Sequence, residues 1–462
     1  MRRWGPVMEV QAFRRWFAAT LAMSVALQML EVIIGWSVYS HQRSALDLGW
    51  IGLAEFLPLF VLALPAGHLA DRFPRRYVLA AANLLGVVIG VTLALITAAG
   101  VHAAAPYLAC AVGAGVTMAI GQPAARAMPP TLVGRALIPS AMTLRAFAAQ
   151  GAGIIGPALG GLVYGFSPAA VYLLAAGSCL LASLAALRIG PGQAPVGADA
   201  RAGGGDRDSA PAGATATPTA AADLGSVLEG LRFVRATPMI LGAILLDLLA
   251  VLFGGAVALL PIFAAHILHV GVVGLGVLRA GPAIGAVIAA VWLTRRPILR
   301  RAGRRLLVVV AAFGACMVVF GLSRNVELSF LALAVSGFVD FFSMNIRGTT
   351  VALATPDLLR GRVGAVETVF VSASNQLGAF ESGLSASLVG TVPAVVGGGC
   401  VTVLIALGWI RLFPALHRVD AMNEIEPVPV RGLPTADDVV PAAGERVPAG
   451  GGVITSPGPT VP

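Results

Sequence analysis

Lysine is missing from this chain: all 31 basic residues are arginine. A phosphate-cradling loop of the G-x-x-x-x-G-K-[ST] type needs a lysine, so no ATP-driven step is expected within the polypeptide. Charge of either sign is scarce, at 11% of residues against about 25% in soluble domains. Cysteine is scarce too. Cys110, Cys179, Cys316 and Cys400 fall singly in apolar stretches without C-x-x-C spacing, which suggests neither a disulfide framework nor a zinc site and leaves them as small packing residues. His266 and His269, three apart, have no third ligand beside them, and no metal or cofactor is expected. Neither H-E-x-x-H nor G-x-S-x-G occurs, so no enzyme is expected either.

What the chain has instead is apolar sequence, at 57% of 462 residues. A hydrocarbon core of roughly 30 Å is crossed by about 20 apolar residues wound as α-helix. Twelve such spans are read, at approximately 16–39, 48–70, 77–99, 104–126, 139–164, 168–187, 239–264, 270–293, 306–323, 328–351, 363–389 and 391–413. The fold class is thus an all-α membrane protein with twelve transmembrane helices. Pro261 is expected to end the seventh helix early. The first span follows Arg14 and Arg15 and is too long for a cleaved signal, so it is read as the first helix.

Arginine is placed unevenly. It is rich at the N-terminus (Arg2, Arg3, Arg14, Arg15), after the second span (Arg72, Arg75, Arg76), after the fourth (Arg126, Arg135), after the eighth (Arg295, Arg296, Arg300, Arg301, Arg304, Arg305) and after the tenth (Arg360, Arg362). The alternate loops hold only Arg43 and Arg324. By the positive-inside rule both termini are expected on the cytoplasmic side. The net charge of +9 follows from this placement and is no sign of nucleic-acid binding.

Between Ile189 and Ala222 the composition turns to Ala, Gly, Pro, Ser and Thr, which reads as a flexible cytoplasmic linker. It separates an N-terminal six-helix half (1–188) from a C-terminal one (223–418), and a Pro-rich tail, 419–462, reads as disordered. Residues 223–235 are amphipathic, with Leu224, Val227, Leu228, Leu231 and Val234 on one side, as an interfacial helix would be. The halves carry traces of a repeat: at an offset of 226 residues, Arg75 falls on Arg301, Pro130 on Pro356 and Gln150 on Gln376. Both halves also follow their second span with an arginine-rich loop. Two parallel six-helix pseudo-repeats are expected.

The loop after the second span reads Gly67-His68-Leu69-Ala70-Asp71-Arg72-Phe73-Pro74-Arg75-Arg76. This G-x-L-a-D-R-x-x-R-R pattern resembles the signature loop between helices 2 and 3 of the major facilitator superfamily, whose members move small solutes by alternating access. Gly156-Pro157-Ala158-Leu159-Gly160-Gly161 is similar to the G-P-x-x-G-G core of that superfamily's antiporter motif, although Ala152 and Thr143 stand where the full motif has glycine. Leu246-Asp247-Leu248-Leu249-Ala250, Phe253-Gly254-Gly255-Ala256 and the run from Ala354 to Val363 resemble the branch that includes the bacterial enterobactin exporter. The resemblance runs from about Phe13 to Arg418. It implies the major facilitator fold and a proton-coupled exporter, an antiporter, of small amphipathic molecules such as drugs or siderophores in a bacterial inner membrane. Its partners would be that small-molecule substrate, the proton and the lipid bilayer, with no nucleic acid and no ATP. An importer of the same fold, a membrane-embedded enzyme and a non-transporting sensor or scaffold are the rivals.

The resemblance makes Gly67, Asp71, Arg72, Arg75 and Arg76 a gating loop in which Asp71 meets the opposite half, while Arg75 and Arg76 serve orientation and lipid binding. It makes Gly156, Pro157, Gly160 and Gly161 a hinge in the fifth helix. Charged groups inside the spans each cost roughly 2.5–3.5 kcal/mol on insertion scales and need a partner or water. They are Glu31, Glu55, Arg145, Asp247, Arg279, Asp340, Arg347, Glu367 and Glu381. Glu31, Asp247 and Asp340 lie on helices that line the cavity in the superfamily. Glu31 and Asp247, expected at comparable depth, are read as proton or substrate groups in preference to permanent ion pairs with Arg145, Arg279 or Arg347. Asp340, Arg145 and Arg347 are further candidates, and Glu55 is a candidate latch between the halves. Trp36, Tyr39, Trp50 and Tyr107 are read as interfacial anchors. Gln28, Asn345, Asn375 and Gln376 are left open between solute and neighbouring helix.

Overall fold

Short loops of one to six residues join most of the helices, so successive spans must run antiparallel. The computed structural model describes residues 5–190, 224–296 and 301–418. The linker beyond residue 190, the tail 419–462, Arg2, Arg3 and Arg300 lie outside the described residues, as do the side chains of Gly67, Asp71, Arg135, Leu224 and Val227. Among the described residues there are helices and turns and no strand.

Twelve long helical segments follow one another. They are α1 (Gln11–Gln42), α2 (Ala45–Arg72), α3 (Arg75–Ala98), α4 (Ala104–Ala127), α5 (Ile138–Phe166) and α6 (Pro168–Leu187), then α7 (Pro238–Ile267), α8 (Gly271–Arg295), α9 (Ala302–Leu322), α10 (Val326–Ala354), α11 (Arg360–Val389) and α12 (Thr391–Leu412). Eleven are long and apolar enough to cross a membrane. The exception is α11, whose 30 residues suffice for length but carry Arg360, Arg362, Glu367 and Glu381. It is seated inside the bundle against α2 and α7, where such residues find partners.

Local chemistry starts three of the six helices that follow the arginine-poor loops. Ser44, Ser167 and Asn325 each accept a hydrogen bond from the backbone amide three residues on, at 3.3, 3.4 and 3.0 Å, and so cap α2, α6 and α10. The seventh span differs from its expected form. Its α-helix stops at Gly254, Gly255 leaves helical backbone angles, and a 3-10 turn at Ala256–Leu259 resets the chain. Pro261 then lies in the first turn of the next helical segment, where its missing N–H costs nothing, and the chain continues to Ile267 through a π-helical turn.

The repeat is visible in the packing. In the first half α1 packs on α5 and α6, α2 on α4, and α3 on α4 and α6; in the second α7 packs on α11 and α12, α8 on α10, and α9 on α10 and α12. The two halves meet through α2 on α11 and α5 on α8, a pair of contacts that the repeat exchanges. Both contacts lie toward the end of the bundle that carries Arg43 and Arg324. Glycine allows the approach: a Cβ on Gly52 would stand 2.7 Å from Ala379 Cβ and 2.9 Å from the Gln376 carbonyl. One on Gly161 would stand 2.6 Å from the Val272 carbonyl. The amphipathic helix Leu224–Ala236 buries Gly230, Phe233 and Val234 and leaves Leu228 exposed; Glu229 pairs with Arg362 of α11 at 2.6 Å.

Candidate functional site

Charged groups inside the bundle gather in two clusters, each with two carboxylates and one guanidinium. Toward the Arg43 end, Glu31 of α1 pairs with Arg279 of α8, across the boundary between halves. Arg279 also donates to the Val257 carbonyl at 3.3 Å. Beside them Glu55 of α2, only 6% exposed, accepts a hydrogen bond at 3.0 Å from Gln376 Nε2 of α11, again across the boundary. These four side chains line a cavity of about 60 Å³, room for a few waters and too small for an amphipathic solute. This cluster therefore closes the path between the halves.

The second cluster lies within the C-terminal half. Arg347 of α10 pairs with Asp247 of α7, and its Nε stands 3.5 Å from Glu367 Oε1 of α11. Arg347 and Asp247 are buried. Glu31 and Asp247 thus do not share one site. Glu31 comes eleven residues before the end of α1 at Gln42, whereas Asp247 comes twenty before the end of α7 at Ile267. Asp247 therefore lies farther from the Arg43 end than Glu31 does, against the expected comparable depth.

Asp340 stands apart. It is exposed, and it enters no ion pair among the described residues. Arg145 of α5 is half-buried, with its Nε unbonded among the described residues, and lies within electrostatic reach of Arg126 of α4. Glu381 accepts from Ser385 Oγ at 2.6 Å.

In α5, Gly156 and Gly160 face α1: a Cβ on Gly156 would stand 2.6 Å from Gln28 Cβ and 2.9 Å from the Val25 carbonyl. Gly161 and Pro157 face Gly276 of α8 in the other half. The helix runs unbroken from Ile138 to Phe166 through Pro157, so the glycines serve close packing on both sides. At the signature loop, Arg75 donates to the Ala127 carbonyl at 2.9 Å and Arg76 to the Ile189 carbonyl at 3.1 Å, tying the start of α3 to the chain ends of α4 and α6. Arg72 is exposed. Two expected anchors turn inward: Tyr107 and Tyr39 are buried, and Tyr39 packs edge-on against His266 of the opposite half. Tyr172 is also buried, with its hydroxyl 2.8 Å from Ser37 Oγ, a contact that periodicity alone gave no reason to expect.

Comparison with known proteins agrees with this architecture. The sequence profile of the Major Facilitator Superfamily matches residues 16–380. The chain is similar to the enterobactin exporter EntS of Citrobacter koseri, at 27% identity over 87% of this chain and 93% of that protein. In fold it is similar to a D-xylose-proton symporter, with a TM-score of 0.64 at 12% identity over 86% of this chain and 97% of the other. It is likewise similar to the inward open conformation of the xylose transporter XylE from E. coli, with a TM-score of 0.62 at 13% identity over 90% and 99%. At such identities these two structures speak to the fold alone. With twelve helices in two exchanged halves and a profile match over most of its length, the chain belongs to the major facilitator superfamily and is a multi-pass membrane transporter.

Proposed function

We propose that the protein is a proton-driven exporter of small amphipathic molecules, of the drug or siderophore kind, in a bacterial inner membrane with both termini cytoplasmic. The observation that carries the reading is the seal between the halves at the Arg43 end, made by Gly52 against Ala379, Gly161 against Gly276 and the Glu31, Glu55, Arg279 and Gln376 cluster. With arginine-rich loops facing the cytoplasm, that seal closes the outer side, and the conformation is inward-facing. A transporter that alternates access must break this seal to release its solute outside.

Export is favoured by similarity to the enterobactin exporter and by Gly156-Pro157 with Gly160-Gly161. Proton coupling is assigned to the intramembrane acids. Asp340, exposed and in no ion pair among the described residues, is the group that takes and releases the proton, while Glu31 and Asp247 are held by Arg279 and Arg347. Asp71 is proposed as the gate residue of the cytoplasmic side, and Arg145 as a contact for the solute.

Transport by inverted vesicles tests the reading. With an imposed pH difference, acid inside, the vesicles should accumulate a catecholate siderophore or an amphipathic dye, and collapsing the gradient should release it. Accumulation only in right-side-out vesicles would make the protein an importer; accumulation in neither, across a panel of such solutes, would favour a sensor or scaffold.

A further inference from the structure

Arg296, Arg301, Arg304 and Arg305 converge on one cavity where α8 ends and α9 begins. None of the four enters an ion pair among the described residues. The cavity measures about 540 Å³, within the range of small-molecule sites, and lies between α8, α9 and α10. Its opposite wall is apolar, formed by Trp292 and Phe342. Arg296 lies over the Trp292 ring, with Cζ 5.7 Å from its centroid.

Position decides what such a cavity can hold. Arg295 is the last residue of α8 and Ala302 the first of α9, so the guanidinium groups stand at the membrane face, with Trp292 a turn below. From there the surface continues downward as exposed apolar side chains: Val308 is 60% exposed on α9, and Ile288, one turn deeper than Trp292 on α8, is 54% exposed. Four cations above, an indole at the boundary and an exposed aliphatic flank below match an anionic head group with an attached hydrocarbon chain. A free phosphate would use only the upper part.

We propose that this cavity binds the phosphodiester head group of an anionic phospholipid, with an acyl chain laid along Trp292 and Ile288. Arg301, Arg304 and Arg305 neutralise the phosphate, and Trp292 marks the depth at which the glycerol gives way to the chain. The site is independent of what the protein carries. It sits on α10 beside Ile346, the neighbour of Arg347, so an occupied site braces the helix that holds the second charged cluster.

The test uses the purified full chain, delipidated in neutral detergent, and three probes: phosphatidylglycerol, phosphatidylcholine of the same chains, and inorganic phosphate. Phosphatidylglycerol should bind in preference to phosphatidylcholine. Replacing Arg301, Arg304 and Arg305 together by glutamine should cut that preference on the order of a hundredfold, the scale of three surface cations. The charge-matched variant with Arg14→Gln, Arg232→Gln and Arg235→Gln should keep it. As a second readout, phosphatidylglycerol brominated in its chains should quench the protein's fluorescence, and Trp292→Phe should remove part of that quenching when compared at equal bound lipid. The proposal is overturned if the wild type shows no preference, if the remote triple variant loses as much, if inorganic phosphate displaces the lipid at comparable concentration, or if Trp292→Phe leaves quenching unchanged.

Discussion

Gln376 donates a 3.0 Å hydrogen bond to Glu55 although the two residues are 321 positions apart and belong to opposite halves. Glu55 is almost fully buried there, so this amide is what compensates its carboxyl for lost water. Gln376→Leu should leave the carboxyl unsatisfied at a cost of about 1–3 kcal/mol in the sealed state alone, since opening returns Glu55 to water. The equilibrium then shifts about tenfold or more toward opening at the Arg43 end. Spin labels at Arg43 and Arg324, in the loops of the two halves at that end, should report a longer separation than in the parent. Glu55→Gln, which keeps an amide pair with Gln376, should stay sealed. An unchanged distance in Gln376→Leu would remove the bond from the seal.

The glycine seam predicts a steric version of the same shift. Valine at Gly52 would meet Ala379 and the Gln376 backbone, which cannot move aside as a flexible side chain could. Gly52→Val should therefore hold the Arg43 end apart and lower transport at least about tenfold with insertion preserved. Gly151→Ala, with nothing within 4 Å of its Cβ, is the matched control and should transport normally. Normal transport by Gly52→Val would show that the halves need not close so far.

Orientation is open to a chemical test. After replacement of the native thiols, cysteine at Arg43 should react with an impermeant reagent added outside intact cells, and cysteine at Arg72 should not; both positions are exposed in the structure. The opposite pattern would invert the protein in the membrane.

The spans were legible because hydropathy depends only on local sequence, and even the polar α11 was found, its apolar stretches lying between Val363 and Val389. Pairing was not legible. Glu31 and Arg279 are 248 residues apart, and no periodicity says which helix of the other half faces a given side chain. The same holds for Tyr39 and Tyr107. Their place at span ends reads as interfacial, but whether that flank faces lipid or protein is decided by the neighbours that pack on it. In the seventh helix Gly255 makes the break and Pro261 does not, because proline is tolerated in a first helical turn. The arginine cavity was visible only as a basic loop, and its apolar wall comes from Phe342 of α10.

Arg347 serves two carboxylates at once, so its removal should cost more than removal of either acid. Arg347→Gln leaves Asp247 and Glu367 buried or half-buried without a cation, and losing one side of a buried pair costs about 3–5 kcal/mol. Thermal unfolding in detergent should fall clearly below the parent. Glu367→Gln, which leaves the Arg347 to Asp247 pair in place, should be nearly neutral. If Arg347→Gln melts with the parent, the cluster carries no structural weight and its charges serve function alone.

The acids divide by environment, and that division predicts which one couples. On the proposed reading, export driven by inward proton flow needs a carboxyl that is accessible and takes part in no fixed ion pair. Asp340 is exposed and enters no ion pair among the described residues, Glu31 is half-exposed but paired with Arg279, and Asp247 is buried and paired with Arg347. Asp340→Asn should therefore abolish accumulation driven by a pH difference while leaving counterflow exchange of solute across the vesicle membrane within about twofold of the parent. Glu31→Gln should weaken both, since it frees Arg279 within the seal. Asp247→Asn should act mainly on stability, in line with its place beside Arg347. If Asp340→Asn accumulates solute as the parent does and Glu31→Gln or Asp247→Asn alone loses gradient drive, the proton travels through an ion pair that opens and closes in each cycle, and exposure in the inward-facing state is the wrong guide to the coupling residue.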